Sequence, residues 1–173
     1  MTIGGGYVFT GIHGLVGAGV CAMTGSPVAG GFAAIVSHLA LDAGPQLGTE
    51  ETLQSGWWSE KSLGVPRPLL VTAIEMGISF GLLWLLTHQN PDRFLFWLGG
   101  VVGTLPDIFH IKHVPLFQKF RIIKVFDLTP LRQFEQLHLD LHWWIVSVWS
   151  PFYWLYVAAV FGGSLYWIHC LAL

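Results

Sequence analysis

His38 and Asp42 lie four residues apart, as do His138 and His142, and Asp107 and His110 lie three apart. On a helix those separations put both members of a pair on one face, with roughly 5–6 Å between their Cβ atoms. Imidazole nitrogen and carboxylate oxygen are the ligands zinc takes in place of thiolate, and one ion usually takes four donors. Three such pairs, with His13 as a further donor, exceed the needs of a single ion. The pattern implies either two ions, or one ion whose ligands are oriented by the remaining groups. For His38 and Asp42 alone, or for His138 and His142 alone, an interhelical hydrogen bond would serve equally well. Asp107 alone could cap the turn after Pro106. Taken together they point to a metal site, because ionisable groups clustered within a membrane are functional by default. His88, His113 and His169 stand alone at helix ends and read as interface residues.

The elements that must position these residues are apolar. Of 173 residues, 53% are hydrophobic and only 10% charged, against about 25% charged in a soluble domain. Nine Trp add a residue type that favours bilayer interfaces. The chain reads as a single membrane domain over 1–173: an all-α integral membrane protein, a compact bundle of about five short transmembrane helices with a surface amphipathic segment. The spans fall at 7–23, 28–42, 69–87, 94–110 and 141–162, with an interfacial stretch at 112–135. Pro151 or Gly162-Gly163 would kink or break the long final apolar tract. Gly11, Gly14 and Gly17 in the first span, and Gly99 and Gly103 in the fourth, would let helices approach closely. Glu75, inside the third span, is costly there unless paired, and reads as a partner of the cluster.

Seven of the eight basic residues fall on one side of this topology, and Arg93 alone falls on the other. The positive-inside rule puts the N-terminus and both long loops in the cytoplasm. His13, His38, Asp42, Glu75, Asp107, His110, His138 and His142 all then share the cytoplasmic end. Nothing in the composition provides the basic stripe that nucleic acid needs. Cys21 and Cys170 form no metal-type spacing.

The runs Ser37-His38-Leu39-Ala40-Leu41-Asp42 and Gly103-Thr104-Leu105-Pro106-Asp107-Ile108-Phe109-His110 resemble motifs of small bacterial inner-membrane proteins. That group is the membrane-bound metal-dependent hydrolases, which are similar to zinc-dependent phospholipase C. The resemblance implies that His13, His38, Asp42, Asp107, His110, His138 and His142 form the metal-binding set. Phe109 stands where the group usually has a second Asp.

The expected function is hydrolysis of a lipid-linked phosphoester or ester at the cytoplasmic face, with a divalent metal, zinc by preference, and Asp107 or Glu75 as general base. Membrane lipid and other membrane proteins are the expected partners. The alternative is a non-catalytic accessory subunit of a larger membrane complex. It would pack, or bind pigment or haem, through its aromatic helices.

Overall fold

The computed structural model describes residues 10–47, 67–107, 128–141, 145–146 and 150–173. Six helices dominate it: α1 (Thr10–Thr24), α2 (Pro27–Asp42), α3 (Arg67–Thr87), α4 (Arg93–Thr104), α5 (Thr129–Leu141) and α6 (Pro151–Ala172). Two short strands, β1 (Gln46–Leu47) and β2 (Ile145–Val146), pair in parallel.

Local chemistry sets the helix ends. Gly25 takes a left-handed φ of 63°, which turns the chain between α1 and α2. Ser26 then caps α2 by accepting a hydrogen bond from the Ala29 amide at 3.4 Å, and Pro27 occupies the first turn. Residues 105–107 continue α4 as a 3₁₀ turn that presents Asp107.

Close approach of α1 and α4 is the basis of the packing. A Cβ on Gly17 would lie 3.0 Å from the Gly103 Cα, and one on Gly103 would lie 2.7 Å from the His13 carbonyl oxygen. Only glycine allows the two backbones this near, so the small-residue positions noted in the sequence do meet one another. Leu15, Ala18, Leu83, Phe96 and Ile168 form the buried apolar core between α1, α3, α4 and α6.

The outer surface is apolar as well. Val28, Phe32, Ile74, Ile78, Trp84, Leu155 and Tyr166 are all exposed, while His13, His38, Asp42 and His138 are buried. Among the described residues one helix, α6, is long and apolar enough to cross a membrane. Residues 10–24, 27–42 and 72–87 form shorter apolar helices.

The final element differs from the expected span at 141–162. Its helix starts at Pro151 and runs unbroken through Gly162-Gly163 to Ala172. The physical reason lies in Ile145, Val146 and Pro151. Two β-branched residues favour the extended β2, and Ser150, held extended (φ −72°, ψ 116°) ahead of Pro151, separates that strand from the helix. His138 belongs to the polar, amphipathic α5. Most of the expected interfacial stretch at 112–135 lies outside the described residues; its last part begins α5.

Candidate metal centre

Four elements bring five side chains to one end of the bundle. His13 comes from the first turn of α1, His38 and Asp42 from the last turns of α2, Asp107 from the turn after α4, and His138 from the last turn of α5. The β1–β2 pairing ties the chain just after Asp42 to the chain just after α5, with Gln46 opposite Ile145 and Leu47 opposite Val146. It thereby fixes the helix end that carries His138 against the one that carries Asp42.

Asp42 sits at the middle and uses both carboxylate oxygens. Its Oδ2 lies 3.0 Å from His38 Nε2 and 2.8 Å from His138 Nε2, and its Oδ1 lies 3.4 Å from His13 Nε2. Asp107 Oδ1 approaches His38 Nε2 at 3.6 Å and His138 Nε2 at 4.0 Å. His38 Nε2 and His138 Nε2 are 3.3 Å apart, and the rings of His13 and His38 lie with centroids 3.9 Å apart and 30° between planes. Side chains of His13, His38, Asp42 and His138 are at most 1% exposed; Asp107, at 18%, is the most accessible of the five.

The tautomer of His38 decides what this arrangement demands. Its Nδ1 donates to the Gly103 carbonyl oxygen at 2.7 Å, so in the neutral ring the proton is on Nδ1 and Nε2 offers a lone pair. That lone pair faces two carboxylates and a second imidazole nitrogen. Such a convergence of electron-rich atoms is repulsive unless a proton or a metal cation sits among them. Protonating His13 and His38 together would set two positive rings against each other at 3.9 Å. A divalent ion meets the same need at a single point.

The spacing fits an ion. Zinc bonds to nitrogen and oxygen are about 2.0–2.2 Å long, which places neighbouring ligand atoms roughly 3.5 Å apart. The distances here, 2.8 to 4.0 Å, bracket that value. Two overlapping groups, His13–His38–Asp42 and His38–Asp107–His138, each gather their ligand atoms within 4.8 Å of one another and could hold an ion, and they share His38. The Gly103 carbonyl has the orienting role usual behind a ligating histidine.

No protein-family model, curated protein or solved structure matches the chain. The site must be judged on its own geometry.

Of the residues singled out in the sequence, His13, His38, Asp42, Asp107 and His138 converge. His110 and His142 lie outside the described residues. Glu75 lies elsewhere: its carboxylate accepts hydrogen bonds from backbone amides in the first turn of α1, that of Gly11 above all. It serves there as an acceptor for the otherwise unpaired amides of a helix N-terminus. Two contributors escaped sequence reasoning. The Gly103 carbonyl is a backbone group, invisible in residue type. Thr10, whose side chain hydrogen-bonds the Asp107 carboxylate, precedes His13 by one helical turn. A hydroxyl on the same helix face as His13 was the one available signal.

Proposed function

We propose that this chain is a membrane-embedded metal-dependent hydrolase that cleaves a lipid-linked phosphoester or ester at the cytoplasmic face of a bacterial inner membrane. The observation that carries the reading is the His38 lone pair, fixed by Gly103 and aimed at Asp42, Asp107 and His138. In this reading α1, α2, α3, α4 and α6 are the five spans, and α5 lies on the surface. The apolar residues exposed along α2, α3 and α6 support a lipid surround. The bias of basic residues supports a cytoplasmic N-terminus.

His13, His38, Asp42 and His138 would hold the ion, zinc by preference, with Asp107 completing the set. The ion supplies Lewis acidity, acidifying water towards neutrality and neutralising charge on the scissile group. In this reading Asp107 would do the proton transfer. Its Oδ1 faces the histidines, while its buried Oδ2 has no hydrogen-bond partner among the described residues. That oxygen is free to take a proton from the attacking water and return it to the leaving oxygen. Its greater exposure makes it the side from which substrate would enter.

Metal analysis of the purified chain, paired with hydrolysis of a lipid phosphoester in mixed vesicles, tests the reading. Near-stoichiometric zinc and metal-dependent release of product are expected. Absence of divalent metal from protein purified without chelator would overturn it. The accessory-subunit alternative draws on the exposed aromatic face of α6, with Phe152, Trp154 and Tyr166. Haem or a tightly copurifying partner in the same preparation would favour it.

A further inference from the structure

The turn that joins α3 to α4, at the end of the bundle opposite the candidate metal centre, borders a cleft of about 370 Å³. Trp84, His88, Arg93, Phe94 and Trp97 line it. Unlike the wholly apolar hollow between α1, α3 and α6, this cleft exposes polar atoms. A turn between two spans lies at headgroup depth, where Trp is favoured. Arg93 is the one basic residue that the topology puts at this end.

The two polar side chains of the cleft have opposite hydrogen-bonding character. Arg93 is exposed, and its guanidinium donates from Nη1 to the His88 carbonyl oxygen at 3.2 Å. That bond holds the fork against the turn and leaves its other donors without a protein partner among the described residues. A guanidinium fork matches the oxygens of a phosphate. His88 Nδ1 donates to the Leu85 carbonyl oxygen at 3.0 Å, so in the neutral ring Nε2 is an acceptor. Stacking on Trp84, with 20° between planes, holds the ring in place. Indole faces attract cations. Asp92, exposed and next to Arg93 in the chain, would repel a ligand that carried negative charge alone. A donor fork, an imidazole acceptor and two indoles together suit a ligand with a phosphate and, a few atoms away, a cation that has N–H groups to give.

We propose that this cleft binds the headgroup of a phospholipid with a primary amine, its phosphate on Arg93 and its ammonium donating to His88 Nε2 beside the indoles of Trp84 and Trp97. A choline headgroup has no N–H to donate, and a glycerol headgroup has no cation. The volume lies at the low end of small-molecule sites, roughly 300–1,000 Å³, which suits a headgroup and leaves the acyl chains outside in the bilayer. The inference rests on the membrane placement of the chain. It needs neither a metal nor turnover, because the cleft lies at the face opposite the candidate metal centre.

The test is native mass spectrometry of the full chain in detergent, titrated with phosphatidylethanolamine, phosphatidylcholine and phosphatidylglycerol of identical acyl chains. Phosphatidylethanolamine should bind at about tenfold lower concentration than either of the others, the factor that one charge-assisted hydrogen bond gives. Arg93→Gln should weaken it about tenfold for the same reason. His88→Phe keeps a ring on Trp84 but removes the acceptor, and should bring phosphatidylethanolamine to the level of phosphatidylcholine. Equal binding of the three lipids, tighter binding of phosphatidylglycerol, or a preference that survives both substitutions would overturn the proposal. Should a variant fail to fold, a phosphatidylethanolamine with a photoreactive group beside its headgroup decides the matter on the unaltered chain. Attachment between residues 84 and 97 is expected, and attachment elsewhere would overturn the proposal. A chain that lacks metal but keeps the preference would count against the hydrolase reading alone. Loss of the preference while metal and hydrolysis persist would refute this cleft alone.

Discussion

The two ends of the helix bundle carry similar residues and put them to different use. At the end opposite the candidate metal centre, His88 Nδ1 bonds the Leu85 carbonyl three residues back at 3.0 Å, and its ring stacks on Trp84 with centroids 4.9 Å apart. Arg93 donates to the His88 carbonyl at 3.2 Å, and the Asn90 amide donates to the Ala172 carbonyl at 3.1 Å. Those polar groups close a turn and the end of α6, as orphan carbonyls at helix C-termini require. At the end with the candidate metal centre, His38 instead reaches a carbonyl 65 residues away and an imidazole 100 residues away. Three or four residues of spacing look alike at both ends. What separates them is whether a local backbone acceptor takes the ring nitrogen, or another helix does.

The largest expected effect breaks that comparison at the ligands. His38→Ala and Asp42→Ala should each abolish stoichiometric metal binding, whereas His88→Ala and His169→Ala should leave it intact. Elemental analysis of the four purified variants checks this. Chelation of the unaltered chain should also lower its melting temperature. An ion at a hundred times its dissociation constant stabilises by about 2.7 kcal/mol, or on the order of 5–10 °C for a chain of this size. Retention of metal in both His38→Ala and Asp42→Ala would reduce the cluster to structural hydrogen bonding.

A smaller effect is expected one step behind the ligands. Gly103→Ala would drive a methyl into the His13 carbonyl, separating α1 from α4 and moving the acceptor that orients His38. Overpacking of this kind destabilises by about 1–3 kcal/mol. Metal affinity should fall by about 10–100-fold, the usual consequence of disturbing a ligand's orienting partner. Competition with a chromogenic chelator measures it. Gly163→Ala, where a Cβ would meet nothing, is the matched control: it should leave metal affinity unchanged and not lower stability.

How much of this was legible in the sequence depends on which physical signal each feature leaves. His38 with Asp42 announced itself by helical spacing, and the apolar stretches around His13 and Asp107 gave their depth. The opposed glycines of α1 and α4 were visible as small-residue periodicity. His138 was legible as a candidate from its spacing to His142, but the helix that carries it was not. Its amphipathic helix and the following apolar tract run together in composition, and the β2 strand between them is only two residues long. The parallel pairing of β1 with β2 joins segments about a hundred residues apart and leaves no local mark. The Gly103 carbonyl is equally silent, since every residue has one.

Glu75 offers the finest distinction. A buried carboxylate in an apolar span must have a partner, and residue types alone suggested the histidines. The partner is the first turn of α1, a row of amide donors that no side chain advertises. Glu75→Gln keeps the shape and the oxygen that accepts from Gly11, and removes the charge. If the residue acts only at the helix terminus, metal content should be unchanged, and stability should fall by about 0.3–1 kcal/mol, the scale of a charge–dipole interaction. Asp107→Asn should behave differently, losing hydrolysis together with part of the metal affinity. A Glu75→Gln chain that keeps its metal and its melting temperature but no longer hydrolyses substrate would reverse this division of labour. The proton-transfer role would then pass from Asp107 to Glu75.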